Sequence, residues 1–186
     1  MSAAHGHGQG HGEHGGNKGI ALLISVLALI LAFAETLGKG AQTGALAYNI
    51  EASNLWAFFQ AKTIRQTVLR TAAEEVEAAS ASDAQKKQAA KWKETAQRYQ
   101  SEPETGEGRE QLTARAKEAE KKRDRSMAAY HHYEVASAAV QIAIVLASAS
   151  IIAEIVALAW VGAALGVLGV VFCVIGFFFP TAVHLF

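Results

Sequence analysis

The sequence predicts an all-α membrane protein with three transmembrane helices, one near the N-terminus and two forming a C-terminal hairpin. Three observations predict it. Apolar residues are concentrated near the two ends of the chain, whereas 16 of the 17 Lys and Arg residues lie between Gly38 and Glu134. The apolar blocks are long enough for helices to cross the hydrocarbon core of a bilayer. The charged centre repeats its apolar residues with helical spacing, which predicts a coiled-coil-like extramembrane middle.

Residues 19–37 form the first predicted span. The run from Ile20 to Leu37 carries a charge only at Glu35, and a helix of that length rises about 27 Å. A cleaved signal peptide is the alternative, because Ala45-Leu46-Ala47 resembles a cleavage site. A retained span is favoured because the apolar run is longer than in most signal peptides and is preceded by a single cation, Lys18.

Residues 38–134 form the predicted extramembrane middle. Three glycines just after the first span, at positions 38, 40 and 44, predict a bend. Helices are then expected from Ala45 to about Ser80, from Asp83 onward, and from Arg109 into the second span, with a turn over Glu102–Gly108. One helical face of the first of these holds Ala52, Leu55, Trp56, Phe59 and Thr63, and the third helix has a similar face that begins with Leu112, Ala116 and Ala119.

The second and third spans are predicted at residues 135–158 and 161–181. We place the turn between Glu154 and Gly162, where Trp160 suits a membrane interface. So short a link requires antiparallel neighbours. Because Lys and Arg are concentrated in the middle, the positive-inside rule puts that region in the cytoplasm of a bacterial inner membrane and the N-terminus outside.

Small and polar residues form stripes along the last two spans. Small ridges allow close approach of helix backbones, and polar side chains can bond across them, either within one chain or between copies. The predicted helix-packing residues are Gly162, Gly166, Gly169, Cys173 and Gly176 on the third span and Ser137, Gln141 and Ser148 on the second.

The N-terminal 18 residues are rich in Gly and His and are expected to be disordered. Their imidazoles could bind Zn, Ni or Cu weakly, and the candidate ligands are His5, His7, His11 and His14. A solvated tail without a metal role is the favoured interpretation, so no cofactor is expected. Tyr130, His131 and Tyr133 are interpreted as an interfacial belt, in preference to a pH-sensing role for His131 and His132. Glu35 and Glu154 are interpreted as carboxylates exposed at span ends.

Two blocks carry a resemblance to a known family. The first, SNLWAFFQAKTIR, spans Ser53–Arg65 and includes Trp56, Gln60 and Lys62; the second begins at Tyr130 with YHHYE. Together they resemble bacterial domain-of-unknown-function family 4337. The resemblance implies a bacterial membrane protein with one span, a helical middle and two further spans. It implies no catalytic residue, because the family has no assigned activity.

Nothing in the sequence identifies a reaction. No nucleophile, base or cofactor loop occurs in a recognisable arrangement, so an enzyme is not expected. Balanced charge gives no indication of nucleic acid. The expected partners are the lipid bilayer and either further copies of the chain or a larger membrane assembly. The sequence therefore favours an oligomeric scaffold or accessory subunit of a membrane complex, with an oligomeric channel or transporter, or a metal-handling protein, as alternatives.

Overall fold

A computed structural model describes the backbone of residues 14–79 and 82–183, and within these ranges every regular element is a helix. In chain order they are α1 (His14–Ala78), α2 (Asp83–Gln100), α3 (Arg109–Ala153) and α4 (Val156–Phe178). Ser82 caps α2, since its side chain accepts from the backbone N–H of Gln85 while the Gln85 side chain accepts from the Ser82 N–H. The predicted all-α class is confirmed.

Three of the four helices contain stretches long and apolar enough to cross a membrane. These stretches lie within Lys18–Ala78, Arg109–Ala153 and Val156–Phe178. The helix α2 is short and polar and is not among them. Each predicted span overlaps a different one of these apolar helices for most of its length, as expected for a membrane protein.

The bend predicted at the early glycines is wrong, because α1 continues without interruption through Gly38, Gly40 and Gly44. Each glycine costs a helix interior about 1 kcal/mol relative to alanine, and packing offsets part of this cost. Gly38 is buried against α3, where a Cβ would make an ordinary van der Waals contact of 3.4 Å with the Cβ of Tyr133. Of the tail predicted to be disordered, residues 1–13 lie outside the described residues, and residues 14–18 belong to α1, which begins at His14.

The link between α3 and α4 consists of two residues, Glu154 and Ile155. It lies at the start of the range predicted for the turn. The predicted second span, residues 135–158, therefore includes the start of α4, and the third begins earlier than residue 161. Glu154 has φ 58° and is the one non-glycine residue with positive φ in the described ranges. A residue in this left-handed conformation reverses the chain sharply at a helix end.

Replacing Glu154 with glycine should stabilise the protein by about 0.5–1 kcal/mol. The left-handed conformation is unfavourable for a residue with a Cβ by about 1 kcal/mol, whereas glycine adopts it freely. Thermal unfolding of the full chain in detergent, followed by circular dichroism, measures the effect. The control is Glu104→Gly, at a turn residue without positive φ. Equal shifts for the two variants would contradict the prediction.

The chain packs as two compact units. The terminal unit comprises the described parts of Met1–Gln42 and Met127–Phe186, and the middle unit comprises those of Thr43–Ser126. The terminal core includes Leu27, Val140, Ala143 and Ala147. The middle core consists of Ala52, Leu55, Leu112, Ala116 and Ala119, with Trp56 and Phe59 packed against it. These are the faces that the helical spacing predicts for α1 and α3, and their alanines allow close helix contacts.

Candidate functional site

The glycines of α4 determine how closely the helices of the terminal unit pack. Gly162, Gly166, Gly169 and Gly176 are all buried. A Cβ on Gly162 would lie 2.8 Å from the carbonyl oxygen of Ala143, and one on Gly169 would lie 3.1 Å from that of Ala136. Gly162 and Gly169 therefore pack closely against α3 within this chain, whereas Gly166 lies against Leu27 of α1. Cys173, also predicted to lie on the ridge, is half-buried.

A cleft that several polar residues help to line lies between α1 and α3 of the terminal unit. Its volume is about 450 Å³, and its polar lining includes Glu35, Lys39, Tyr130, Glu134, Ser137 and Gln141. Gln141 Nε2 donates to Glu35 Oε1 and to Ser137 Oγ, each over 3.3 Å. We call this site the Glu35 cleft. It places a carboxylate, an amide and a hydroxyl in contact within apolar stretches of two helices.

Only part of the polar stripe predicted on the second span reaches the Glu35 cleft. Ser137 and Gln141 line it, whereas Ser148 Oγ donates to the carbonyl of Ile144 in its own helix. Glu35 is exposed on the surface of the protein, as expected, and so is Glu154 at the link. The contact between Glu35 and Gln141 joins residues 106 positions apart and has no signal in local spacing.

His132 occupies a position that sequence reasoning missed. It is 1% exposed. Its ring stacks on Phe172, with centroids 6.2 Å apart, and its Nε2 lies 3.2 Å from the carbonyl oxygen of Pro180. The backbone of Gly176 leaves space for it, since a Cβ there would lie 3.0 Å from the His132 Cβ. His132 therefore fastens the end of α4 to α3.

In the middle unit, the block that carries the family resemblance contributes a buried lysine, Lys62. Lys62 is 5% exposed although it is a lysine. Its Nζ donates to Glu102 over 3.1 Å and lies 3.8 Å from Glu107 Oε2. The same ammonium lies 5.4 Å from the ring centroid of Phe58 and 5.3 Å from that of Tyr99. Lys62 therefore holds the turn between α2 and α3 against α1.

A second buried polar contact lies beside the first and was not anticipated. Gln66 is 2% exposed; its Nε2 donates to the carbonyl of Ala96 over 2.8 Å, and its Oε1 accepts from Arg109. The Arg109 guanidinium also donates to Gln100 and lies 4.9 Å from the ring centroid of Phe59. Both polar ends of the Gln66 amide are thus bonded, which is what burial of an amide requires.

Lowering the pH should weaken the middle unit through Glu102. The hydrogen bond from Lys62 holds the pKa of this carboxyl below its usual value of 4.5. A carboxyl with a lowered pKa stabilises the fold above its unfolded-state pKa, and the stabilisation disappears as the pH falls through the folded-state pKa. We expect thermal stability to drop below about pH 4.5 and Glu102→Gln to reduce that drop. An unchanged pH profile in Glu102→Gln would contradict the assignment.

Trp56 and Gln60 belong to the same block but have different environments. Trp56 Nε1 donates to Glu120 Oε1 over 2.9 Å, and its ring meets Phe59 edge to face. Gln60 is exposed. Trp56 and Lys62 thus hold α1 to α3 and to the turn, respectively, whereas Gln60 lies on a different side of α1.

The outward face of α1 in the middle unit carries an exposed apolar stripe. Large side chains on it are well exposed: Leu46 by 61%, Ile50 by 53%, Ile64 by 65% and Val68 by 60%. Ala57 and Ala61 lie between them on the same face. We call these six residues the outer stripe. The sequence contains the signal, since these residues recur at helical spacing opposite the core face.

The candidate metal ligands are not placed by the structure. His5, His7 and His11 lie outside the described residues, and the side chain of His14 lies outside them as well. Among the side chains that the structure does describe, no group of three or more His, Cys, Asp or Glu residues is positioned to hold a metal ion.

The chain matches one known protein family over most of its length. The model of a domain of unknown function, DUF4337, matches residues 16–179. The chain belongs to the DUF4337 family. The predicted family membership is confirmed, and the match includes the Glu35 cleft, Lys62 and the outer stripe. The four candidate metal-binding histidines precede the DUF4337 match. No curated protein and no solved structure matches the chain.

Proposed function

We propose that this protein is an oligomeric membrane scaffold or accessory subunit, and that it assembles with further copies of itself through the outer stripe. The observation that carries this proposal is the exposure of the stripe on α1. A helix in water usually presents charged side chains on its outward face. Here apolar side chains occupy most of that face, with Ser53 between Ile50 and Ala57.

Charge is scarce along this part of α1. Between Leu46 and Val68 the charged residues are Glu51, Lys62 and Arg65, and Lys62 is buried. The stripe extends about 33 Å along the helix axis. A surface of this kind, long and nearly uncharged, is typical of a helix that packs against another helix.

The membrane spans favour a second copy as the partner. Copies inserted with the same topology present their outer stripes on the same side of the bilayer and in the same direction. Identical stripes then run parallel, and each large residue can meet its counterpart. Ala57 and Ala61, at the centre, allow close approach. Such a symmetric contact is the commonest arrangement in homo-oligomers.

Site-directed crosslinking tests the arrangement. In a Cys173→Ala background, Ile64→Cys places a thiol where two parallel stripes would meet. Mild oxidation of native membranes should then give a disulfide-linked dimer. The matched control is Arg70→Cys, at an exposed position of the same helix about 120° around the axis from Ile64. Equal crosslinking of the two variants, or of neither, contradicts the proposal.

Mass measurement in lipid nanodiscs provides the second readout. The native chain should give the mass of two or more copies, and Ile64→Lys combined with Val68→Lys should shift it toward one copy. A native chain that is monomeric at all accessible concentrations overturns the proposal. Retained helical content in the double variant separates loss of assembly from loss of folding.

The proposal includes a location and excludes other roles. We expect a multi-pass protein of a bacterial inner membrane, with the middle unit in the cytoplasm and the N-terminus outside, in accordance with the positive-inside rule. We expect no enzymatic activity, resident cofactor or nucleic-acid partner. The channel or transporter alternative is supported by the polar lining of the Glu35 cleft, and ion flux into liposomes containing the purified chain would favour it over a scaffold.

A further inference from the structure

The Glu35 cleft lies at the level where two predicted spans end. Lys39 on α1 and Glu134 on α3 lie just outside the predicted limits at residues 37 and 135, and both line the cleft. Glu35 and Ser137 lie just inside those limits and line it too. The cleft therefore crosses from the membrane surface into the bilayer, which is the depth that lipid headgroups occupy.

The lining of the cleft combines both signs of charge with hydrogen-bonding groups. Two carboxylates, Glu35 and Glu134, are accompanied by the ammonium of Lys39 and the phenol of Tyr130. Glu134 also lies 3.6 Å from His131 Nδ1. The formal charge of the lining is negative, so the cleft favours a ligand that carries a cation together with a group that Lys39 and Tyr130 can bind.

Apolar side chains flank the cleft on the surface of the spans. Phe33 on α1 is 62% exposed, and Ile142 on α3 is 53% exposed. In sequence they are the immediate neighbours of Ala34 and Gln141, which line the cleft itself. A ligand seated in the cleft would therefore have apolar protein surface available to its hydrocarbon tails.

We infer that the Glu35 cleft binds a phospholipid whose headgroup carries a primary ammonium and a phosphate. The ammonium donates to Glu35 or Glu134, and the phosphate lies near Lys39 and Tyr130. Gln141 orients Glu35 by donating to one carboxylate oxygen, as a positioning residue. The volume, about 450 Å³, lies within the usual range of small-molecule sites. The lateral apolar surface favours a lipid over a soluble amine.

Headgroup chemistry distinguishes this ligand from other lipids. A trimethylammonium headgroup has the same charge but no N–H to donate to a carboxylate. A glycerol headgroup has no cation, and its phosphate meets the negative formal charge of the lining. The amine-bearing lipid should therefore be retained best. We expect about tenfold preference over the trimethylammonium lipid, equivalent to loss of one strong hydrogen bond to a charged group.

Native mass spectrometry of the full-length protein tests the inference. The protein is reconstituted in equal parts of phosphatidylethanolamine, phosphatidylcholine and phosphatidylglycerol, washed in mild detergent and released in the gas phase. We expect phosphatidylethanolamine adducts to dominate in the native chain. Glu35→Gln and Glu134→Gln should each reduce them severalfold, because each removes a carboxylate charge while keeping the side-chain shape. The matched control, Glu154→Gln at the link, should retain them.

Further arms separate the possible outcomes. Equal retention of the three lipids, or unchanged retention when both carboxylates are replaced by glutamine, overturns the inference. Stronger retention of phosphatidylglycerol also overturns it, because the phosphate would then dominate. If free O-phosphoethanolamine raises thermal stability as much as the lipid does, the inference that the ligand is a lipid is wrong. Circular dichroism of each variant establishes that it is folded, and either glutamine variant suffices if the other does not fold.

Discussion

Gly162→Ala should destabilise the protein by about 2 kcal/mol, even though alanine is the better helix former. A Cβ at this position would lie 2.8 Å from the carbonyl oxygen of Ala143 and 3.5 Å from the backbone nitrogen of Ala147. Both neighbours are backbone atoms of α3, so no side chain can rotate away. The two helices must separate, and the contacts of the glycine ridge weaken along its length. Unfolding of the detergent-solubilised chain by dodecyl sulfate, followed by circular dichroism, measures the loss.

Gly40→Ala is the matched control for this prediction. Gly40 also lies inside a helix, but a Cβ there would have no heavy atom within 4 Å. The substitution should be neutral or should stabilise the chain by up to about 1 kcal/mol, which is the difference in helix propensity. If both alanine variants unfold alike, close packing of α4 on α3 does not limit stability.

Lys62→Ala should have the second large effect, a loss of about 2–3 kcal/mol. The substitution removes the buried side chain of Lys62, its donor to Glu102 and its contacts with the rings of Phe58 and Tyr99. The apolar stem contributes through burial, and the ammonium contributes through charge-assisted hydrogen bonding. The same unfolding assay applies, with near-ultraviolet circular dichroism to follow Tyr99 and Trp92 of α2.

Lys93→Ala provides the comparison for Lys62→Ala. Lys93 bonds both carboxylate oxygens of Glu77 over 2.6 Å, which is shorter than the contact of Lys62 with Glu102. Both partners are about half exposed, however, with relative side-chain exposures of 48% and 51%. Exposed ion pairs contribute less than about 1 kcal/mol. Lys62→Ala should therefore destabilise the protein more than Lys93→Ala, because the Lys62 side chain is buried although its contact is longer. A larger loss of stability in Lys93→Ala would contradict this account.

Local periodicity was sufficient to predict the helices and much of the core. The apolar runs located three candidate spans, and helical spacing placed Ala52, Leu55 and Trp56 on the face that packs against α3. The start of α2 near Asp83 and the turn that ends at Gly108 were visible for the same reason, since each depends on neighbours within a few positions, although the capping residue is Ser82 and not Asp83. Features that depend only on residues a few positions apart can be predicted from the local sequence.

The contacts that build the candidate site join distant positions, and spacing alone does not pair them. Glu35 meets Gln141 across 106 residues, and Arg109 meets Gln66 across 43. The glycines of α1 misled the prediction for a related reason. A bend was predicted from their low helix propensity alone, whereas the observed helix also depends on packing, as at Gly38 against Tyr133. Burial of His132 similarly depended on space left by Gly176, on another helix.

The anchoring of Pro180 has a practical consequence for anyone who handles this protein. The carbonyl of Pro180 is the observed partner of the His132 ring, whose other nitrogen, Nδ1, has none among the described residues. Shortening the chain ahead of Pro180 would leave the buried imidazole with no hydrogen-bond partner, a loss of about 1–3 kcal/mol. Affinity tags and fluorescent reporters are therefore better joined at the N-terminus, and any C-terminal truncation should retain Pro180.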